Sequence, residues 1–116
     1  MMQPTWWRGL PARMLLAAGV AFPSGAAQAQ DEADLELGKQ VFVEIAEPQC
    51  GICHTLADAG TTGEIGPNLD ELRPSEERVQ AVVRDGVDVM PAFEGLLTEE
   101  QIKAVAHYVA TVAGRQ

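Results

Sequence analysis

The chain has 116 residues, which is enough for one domain. It carries 8 lysines and arginines against 17 aspartates and glutamates, and its formal net charge of -9 excludes a nucleic-acid-binding face, which must be basic. Its two cysteines are too few for a four-cysteine zinc or iron–sulfur site, or for a scaffold held by several disulfides.

Residues 1–29 have the order of parts found in a secretory signal peptide. The charges in this segment are positive, at Arg8 and Arg13, and a nine-residue apolar run at 14–22 follows them. Ala-Gln-Ala then ends the segment as a small-x-small cleavage site. A spanning helix needs about 20 apolar residues. The sequence therefore predicts export and cleavage after Ala29, and no stable membrane insertion.

Cleavage at that point would leave one domain, residues 30–116, with 87 residues. It would remove two arginines and no acid, so the net charge would change from -9 to -11. The remaining aromatic residues would be Phe42, Phe93 and Tyr108. Domains of this size are marginally stable because much of their surface stays in contact with water. We therefore expect a bound group to complete the core.

Apolar spacing and capping signals predict three helices, and no segment alternates for long enough to predict a strand. The first helix covers Asp34–Ala46. The second covers Glu76–Asp85 and ends at Gly86, a residue typical of helix C-termini. The last helix follows the capping box Thr98-Glu99-Glu100-Gln101. The predicted fold class is all-α.

The segments between these helices are predicted to be irregular. Gln49–Leu56 holds both cysteines and is predicted to form one short helical turn. Ala57–Leu69 is predicted to be a loop because three glycines and Pro67 interrupt it. Val87–Leu97, which contains Met90 and Pro91, is predicted to be a second loop.

The segment Cys50-Gly51-Ile52-Cys53-His54 is the attachment signature of a c-type haem. Two thiols three positions apart can add across the two vinyl groups of one haem. The histidine that follows then lies beneath the macrocycle as an axial iron ligand. Export agrees with this interpretation, since covalent attachment takes place outside the cytoplasm. The sequence therefore predicts one haem c, bound through Cys50 and Cys53, with His54 on the iron.

Two other uses of a Cys-x-x-Cys pair fit the chain less well. A thioredoxin-like redox disulfide occurs in a βαβ context, and no strand is predicted here. A zinc site would need His54 and His107 as further ligands. His54 is badly placed for this, because it directly follows Cys53 and cannot easily share a small tetrahedral ion with it.

Met90 and His107 are the candidates for the second axial ligand, because the other methionines lie in the predicted signal peptide. His107 lies in the last helix near Lys103 and Gln101, on a face predicted to be solvated. Met90 lies in a loop before Pro91. Its soft thioether suits iron and raises the reduction potential relative to a second histidine. A role as core filler is the alternative, and the residues favour Met90 as the ligand.

The chain resembles the small single-haem class I cytochromes c over nearly all of residues 35–112. The segments that carry the resemblance are Cys50–His54, Gly66-Pro67-Asn68-Leu69, and Met90-Pro91 before the last helix. The resemblance implies a fold in which N- and C-terminal helices pack around a covalently attached haem. It implies that the Pro67 carbonyl accepts a hydrogen bond from His54 and fixes its ring.

The resemblance also implies that the first and last helices cross at Gly38, with Phe42 and Tyr108 nearby. It does not imply a mitochondrial-type lysine ring, because Lys39 and Lys103 are the only lysines. The chain looks closer to bacterial cytochromes with short loops. Residues 46–56 and 90–93 are also similar to cytochrome subunits of periplasmic sulfite dehydrogenases.

A haem iron with protein ligands on both faces has no open site for oxygen, peroxide or substrate. We therefore expect one-electron transfer by a protein that is not itself an enzyme, with a periplasmic dehydrogenase, a terminal oxidase or both as redox partners. One alternative is a permanently bound haem subunit of a periplasmic oxidoreductase such as sulfite dehydrogenase. Another is a haem sensor or peroxidase, in which Met90 leaves the iron. The net acidity predicts either a basic partner surface or simple solubility.

Overall fold

The computed structural model describes residues 17–21 and 24–115, so most of the predicted signal peptide, namely residues 1–16, 22 and 23, lies outside the described residues. The described part is mainly helical, and its helices are α1 (Ser24–Gln40), α2 (Cys50–Cys53), α3 (Leu69–Leu72), α4 (Glu76–Asp85) and α5 (Glu99–Val112). The all-α prediction is confirmed, with one small exception between α2 and α3.

The first helix is longer than predicted, because α1 begins at Ser24 rather than at Asp34. Alanines are frequent between residues 26 and 33, and no proline or glycine interrupts that stretch. Intrinsic propensity therefore extends the helix upstream of the amphipathic part. At its other end, α1 continues into a π-helical turn at Val41–Ile45, and the backbone becomes extended at Ala46, where the predicted helix ended.

The segment after α2 contains the only strands in the described residues. Strand β1 (Thr55–Leu56) pairs antiparallel with β2 (Thr61–Thr62), so the prediction of no strand is wrong at this point. Strands of two residues are too short to show an alternating pattern in the sequence. The helix α3 was also absent from the prediction, and its cap is Asn68, whose side chain accepts hydrogen bonds from the backbone N–H groups of Asp70 and Glu71.

Helix α4 has the predicted bounds, and α5 begins at the predicted capping box. The Ser75 hydroxyl accepts a hydrogen bond from the Arg78 backbone at the start of α4, and Gly86 ends that helix with φ of 72°. At the start of α5, the Thr98 hydroxyl accepts from the Gln101 backbone at 3.1 Å, and the Gln101 side chain accepts from the Thr98 backbone at 2.9 Å. These local hydrogen bonds explain why both helices could be located from the sequence.

Helices α1 and α5 cross at Gly38, as the resemblance implied. A Cβ atom at Gly38 would overlap the carbonyl oxygen of Ala104 and lie 2.5 Å from the Cβ atom of Tyr108. One turn further along, the rings of Phe42 and Tyr108 meet edge to face, with centroids 6.2 Å apart. The close approach therefore depends on the absence of a side chain at Gly38.

Replacing Gly38 with alanine should lower the free energy of unfolding of the holoprotein by about 1–3 kcal/mol, the usual cost of overpacking. Chemical denaturation followed by circular dichroism measures this change. The exposed Gln40→Ala variant in the same helix is the control and should change stability by less than about 0.5 kcal/mol. Equal stabilities for the two variants would contradict the close crossing.

The side chains of Asp58 and Asp70 connect residues 57–70 to the C-terminal part of α5 by hydrogen bonds. Asp70 is buried, and its two oxygens accept hydrogen bonds from the backbone N–H groups of Ala57 and Gly114, both at 2.8 Å. The Tyr108 hydroxyl donates to Asp58 at 2.5 Å. Burial, followed by this hydrogen bond, raises the pKa of Tyr108 above its ordinary value. The segment that follows the two cysteines is thus held in place by the C-terminal helix.

The side chain of His107, on α5, contacts residues of α1 and α4, whereas the sequence predicted a solvated face for it. The ring is partly buried, with Nδ1 lying 3.1 Å from Glu76 of α4 and Nε2 lying 2.8 Å from Asp31 of α1. Because a carboxylate only accepts hydrogen bonds, this arrangement favours the protonated ring. The hydrogen bond to Glu76, and then the one to Asp31, raise the pKa of His107 above its ordinary value of 6.5.

His107 should therefore make stability depend on pH. Since its folded-state pKa is raised, its contribution is complete below about pH 6.5 and is lost as pH rises through the folded-state value. We expect His107→Gln to cost at most about 1 kcal/mol, the range for partly exposed ion pairs. The cost should be larger at about pH 6 than at about pH 9, as measured by denaturation at both values. Lys103→Gln on the same helix is the control, and an equal cost of His107→Gln at both values would contradict the ion pairs.

Candidate functional site

An apolar crevice of about 500 Å³ lies between α2, the following loop, α4, the 87–91 turn and α5. Its volume is within the usual range for small-molecule sites, about 300–1,000 Å³. The core side chains Phe42, Val83 and Phe93 form part of its wall. The predicted site residues all line this crevice: Cys50, Cys53, His54, Pro67 and Met90.

The two cysteines lie at the ends of the single turn α2 and carry free thiols. The His54 backbone N–H donates to the Cys50 carbonyl at 3.0 Å, which closes the turn and directs the histidine out of the helix. Burial raises the pKa of the Cys50 thiol to about 11. A disulfide oxidoreductase needs the opposite shift, toward an exposed thiolate, so the burial of Cys50 does not favour thioredoxin-like chemistry.

The His54 ring is oriented by the loop that passes over it. Its Nδ1–H donates to the Pro67 carbonyl at 2.7 Å, which leaves the lone pair of Nε2 for a metal ion. The backbone runs so close that a Cβ atom at Gly66 would lie 2.6 Å from Cε1 of the ring. The sequence indicated the role of Pro67 through the resemblance, whereas the need for glycine at position 66 emerges only from the packing.

Met90 is held by a tight four-residue turn. Val87 and Met90 exchange both backbone hydrogen bonds, at 2.8 and 3.1 Å. The turn requires positive φ angles at Gly86 (72°) and Asp88 (50°). A Cβ atom at Gly86 would lie 2.7 Å from the Met90 carbonyl oxygen. The backbone therefore fixes the position at which the thioether enters the crevice.

These residues fit a haem group. The wall is largely apolar, two thiols lie at one side, and an imidazole nitrogen and a thioether sulfur are the donors that haem iron accepts in proteins. The zinc alternative gains no support, because His107 does not line the crevice. Within the described part of the chain, no group of three or more histidines, cysteines and carboxylates could hold a metal ion.

The lining includes the basic residue Arg78, which was not predicted from the sequence to belong to the site. Arg78 follows Glu76 and Glu77 in the first turn of α4, and it lines the crevice together with Val79 and Val82. The four-residue step from Arg78 to Val82 places both on one helical face. That spacing could have indicated Arg78 as a crevice residue.

Comparisons with known proteins agree with this geometry. Residues 33–109 match the family described as "Cytochrome C oxidase, cbb3-type, subunit III". The chain is 59% identical to the crystal structure of the c-type cytochrome SorU from Sinorhizobium meliloti, with a TM-score of 0.70, and the match covers 72% of this chain and 94% of that one.

Curated relatives lead to the same family. The cytochrome c subunit of 4-cresol dehydrogenase [hydroxylating] from Pseudomonas putida is 29% identical over 90% of this chain and 88% of its own length. Cytochrome c6 from Euglena gracilis is 34% identical over 66% of this chain and 91% of its own length. The resemblance to class I cytochromes c is thereby confirmed. The chain belongs to this cytochrome c family, and it is an electron-transfer protein that carries covalently bound haem c.

Proposed function

We propose that Cys50 and Cys53 attach the haem through thioether bonds and that His54 and Met90 ligate its iron from opposite faces. The observation that carries this proposal is the convergence of these four side chains on one crevice. The hydrogen bond from His54 to Pro67 supports it, because it fixes the tautomer that leaves Nε2 available.

Bound haem c supplies a one-electron step between ferric and ferrous iron. His54 and Met90 would both hold the iron, which would leave no place for a substrate on it. Packing of Phe42, Val83 and Phe93 along the crevice keeps water away from the site. Fixed ligands and an apolar wall would keep the surroundings of the haem similar in both oxidation states, so little rearrangement would accompany each electron transfer.

The protein is proposed to act in the periplasm after removal of residues 1–29. The order of charge, apolar run and cleavage site supports this location. Among residues 17–21 and 24–115, no helix is long and apolar enough to cross a membrane.

The mouth of the crevice is the proposed contact face for a redox partner. Three apolar side chains at the mouth line the crevice and are at least half exposed to solvent, namely Ile65, Val87 and Val89. Desolvation of such a small apolar face gives a weak, short-lived contact of the kind that electron transfer requires. The partner is proposed to be a periplasmic dehydrogenase, a terminal oxidase or both.

A permanent place in a larger oxidoreductase is the second candidate. The 4-cresol dehydrogenase relative is named as a cytochrome c subunit, which supports a subunit role. A sulfite dehydrogenase is the proposed enzyme on the likeness of residues 46–56 and 90–93. The native protein could be purified in a buffer of high ionic strength. If a larger catalytic chain stays bound to it under these conditions, the result would favour this role over that of a diffusing carrier.

The proposed carrier function is tested with holoprotein produced in a host that attaches haem. A pyridine haemochrome spectrum should show haem bound through two thioethers. Stopped-flow oxidation by a partner with a basic surface should slow as salt rises, because the chain is strongly acidic. A rate that stays constant across ionic strength would contradict electrostatic docking, and a spectrum without thioether-linked haem would contradict the function itself.

A further inference from the structure

The crevice contains one positive charge among its apolar walls. Of the residues that line it, Arg78 is the only lysine or arginine, and Asp88 is the only carboxylate. The other charged groups of the described residues lie elsewhere on the protein. Arg78 is exposed to solvent and also lines the crevice, so its cation can reach a group bound there.

The position of Arg78 in α4 is unfavourable for the helix itself. It is the third residue of the helix, where the dipole favours negative groups such as Glu76 and Glu77. Arg84, at the other end of the same helix, occupies the favourable position and pairs with Glu99 at 2.7 Å. Within the described part of the chain, the guanidinium of Arg78 takes part in no ion pair. Its charge is therefore available to an anion in the crevice.

Haem brings such an anion, since each macrocycle carries two propionate groups. A guanidinium presents a planar fork of N–H donors that matches a carboxylate, and it binds one with two parallel hydrogen bonds. We propose that Arg78 binds a haem propionate and thereby positions the macrocycle in the crevice. The inference rests on haem c occupying this crevice and concerns a contact separate from the axial ligands.

The charge of Arg78 also has an electrical consequence. An unpaired propionate stabilises ferric iron, which carries one more positive charge than ferrous iron. Arg78 offsets that negative charge and so favours the reduced state. Loss of the guanidinium charge should therefore lower the reduction potential, and a positive charge restored at the same place should raise it again.

The test measures the midpoint potential of purified holoprotein for four chains: wild type, Arg78→Gln, Arg78→Lys and Arg84→Gln. Arg84 is a matched control, because it lies on the same helix, carries the same charge and does not line the crevice. We expect Arg78→Gln to shift the potential downward, Arg78→Lys to recover most of that shift, and Arg84→Gln to leave it nearly unchanged.

Equal shifts for Arg78→Gln and Arg84→Gln would overturn the proposal, as would a shift that lysine does not reverse. In the reduced wild-type protein, NMR should also show contacts between the Arg78 side chain and the propionate methylene protons, and their absence would overturn the proposal even if a variant fails to assemble. Mass spectrometry of the same samples reports thioether attachment independently, so failure of this contact is distinguishable from failure of the haem assignment.

Discussion

Replacing Met90 with alanine should open one face of the iron, so that the reduced protein binds carbon monoxide. The tight turn from Val87 to Met90 would still form, because its hydrogen bonds join backbone atoms. The reduction potential should fall by on the order of 0.1 V or more, since the axial ligand is a main determinant within a range of roughly 0.8 V. Optical titration with carbon monoxide and a spectroelectrochemical titration measure the two effects.

Two further variants distinguish the effect of changing the axial ligand from the effect of substituting another residue. Met90→His should lower the potential while keeping the iron closed to carbon monoxide, because a second imidazole replaces the thioether. Leu96→Ala, at a side chain that is 68% exposed and does not line the crevice, should change neither property. Carbon monoxide binding by the reduced wild-type protein at neutral pH would instead favour the sensor or peroxidase alternative.

Replacing both Cys50 and Cys53 with alanine should abolish covalent attachment and leave a chain that is largely unfolded without haem. Phe42, Val83 and Phe93 line the crevice, and without haem their apolar surfaces would lose the group that packs against them. The total stability of a typical domain is only about 5–15 kcal/mol, and a domain of this size is marginal without a group that completes its core. Circular dichroism should therefore show a large loss of helix in the double variant.

Single replacements provide the control for this experiment. A Cys50→Ala chain keeps one thiol for attachment, so we expect a lower yield of holoprotein with helix content close to that of wild type. Adding free haem to the double variant should restore part of the helix signal by binding to the folded state. A haem-free double variant with native helix content and a cooperative unfolding transition would contradict the structural role of the haem.

Local signals account for the parts of the fold that the sequence predicted well. Helices α4 and α5 were located because Gly86 and Thr98 make their capping interactions with residues at most four positions away. The crevice residues around Cys50 and Cys53 were found for a similar reason, since their chemistry depends on a fixed short spacing.

The features that the sequence missed depend on contacts between distant residues or on very short elements. Asp31 and His107 meet across 76 positions, so the helical spacing around His107 could not reveal the three-helix contact. Strands β1 and β2 have two residues each, which is below the length at which alternation can be recognised. Arg78 is different, because its four-residue spacing from Val82 could have indicated a crevice position.

The most direct measurement of the central claim is X-ray absorption at the iron edge of purified wild-type holoprotein in both oxidation states. Histidine and methionine ligation predicts six-coordinate iron with one sulfur and five nitrogen neighbours, and carbon monoxide should leave the spectrum of the reduced state unchanged. Six nitrogen neighbours, or a five-coordinate iron, would contradict the assignment of His54 and Met90 as the two axial ligands.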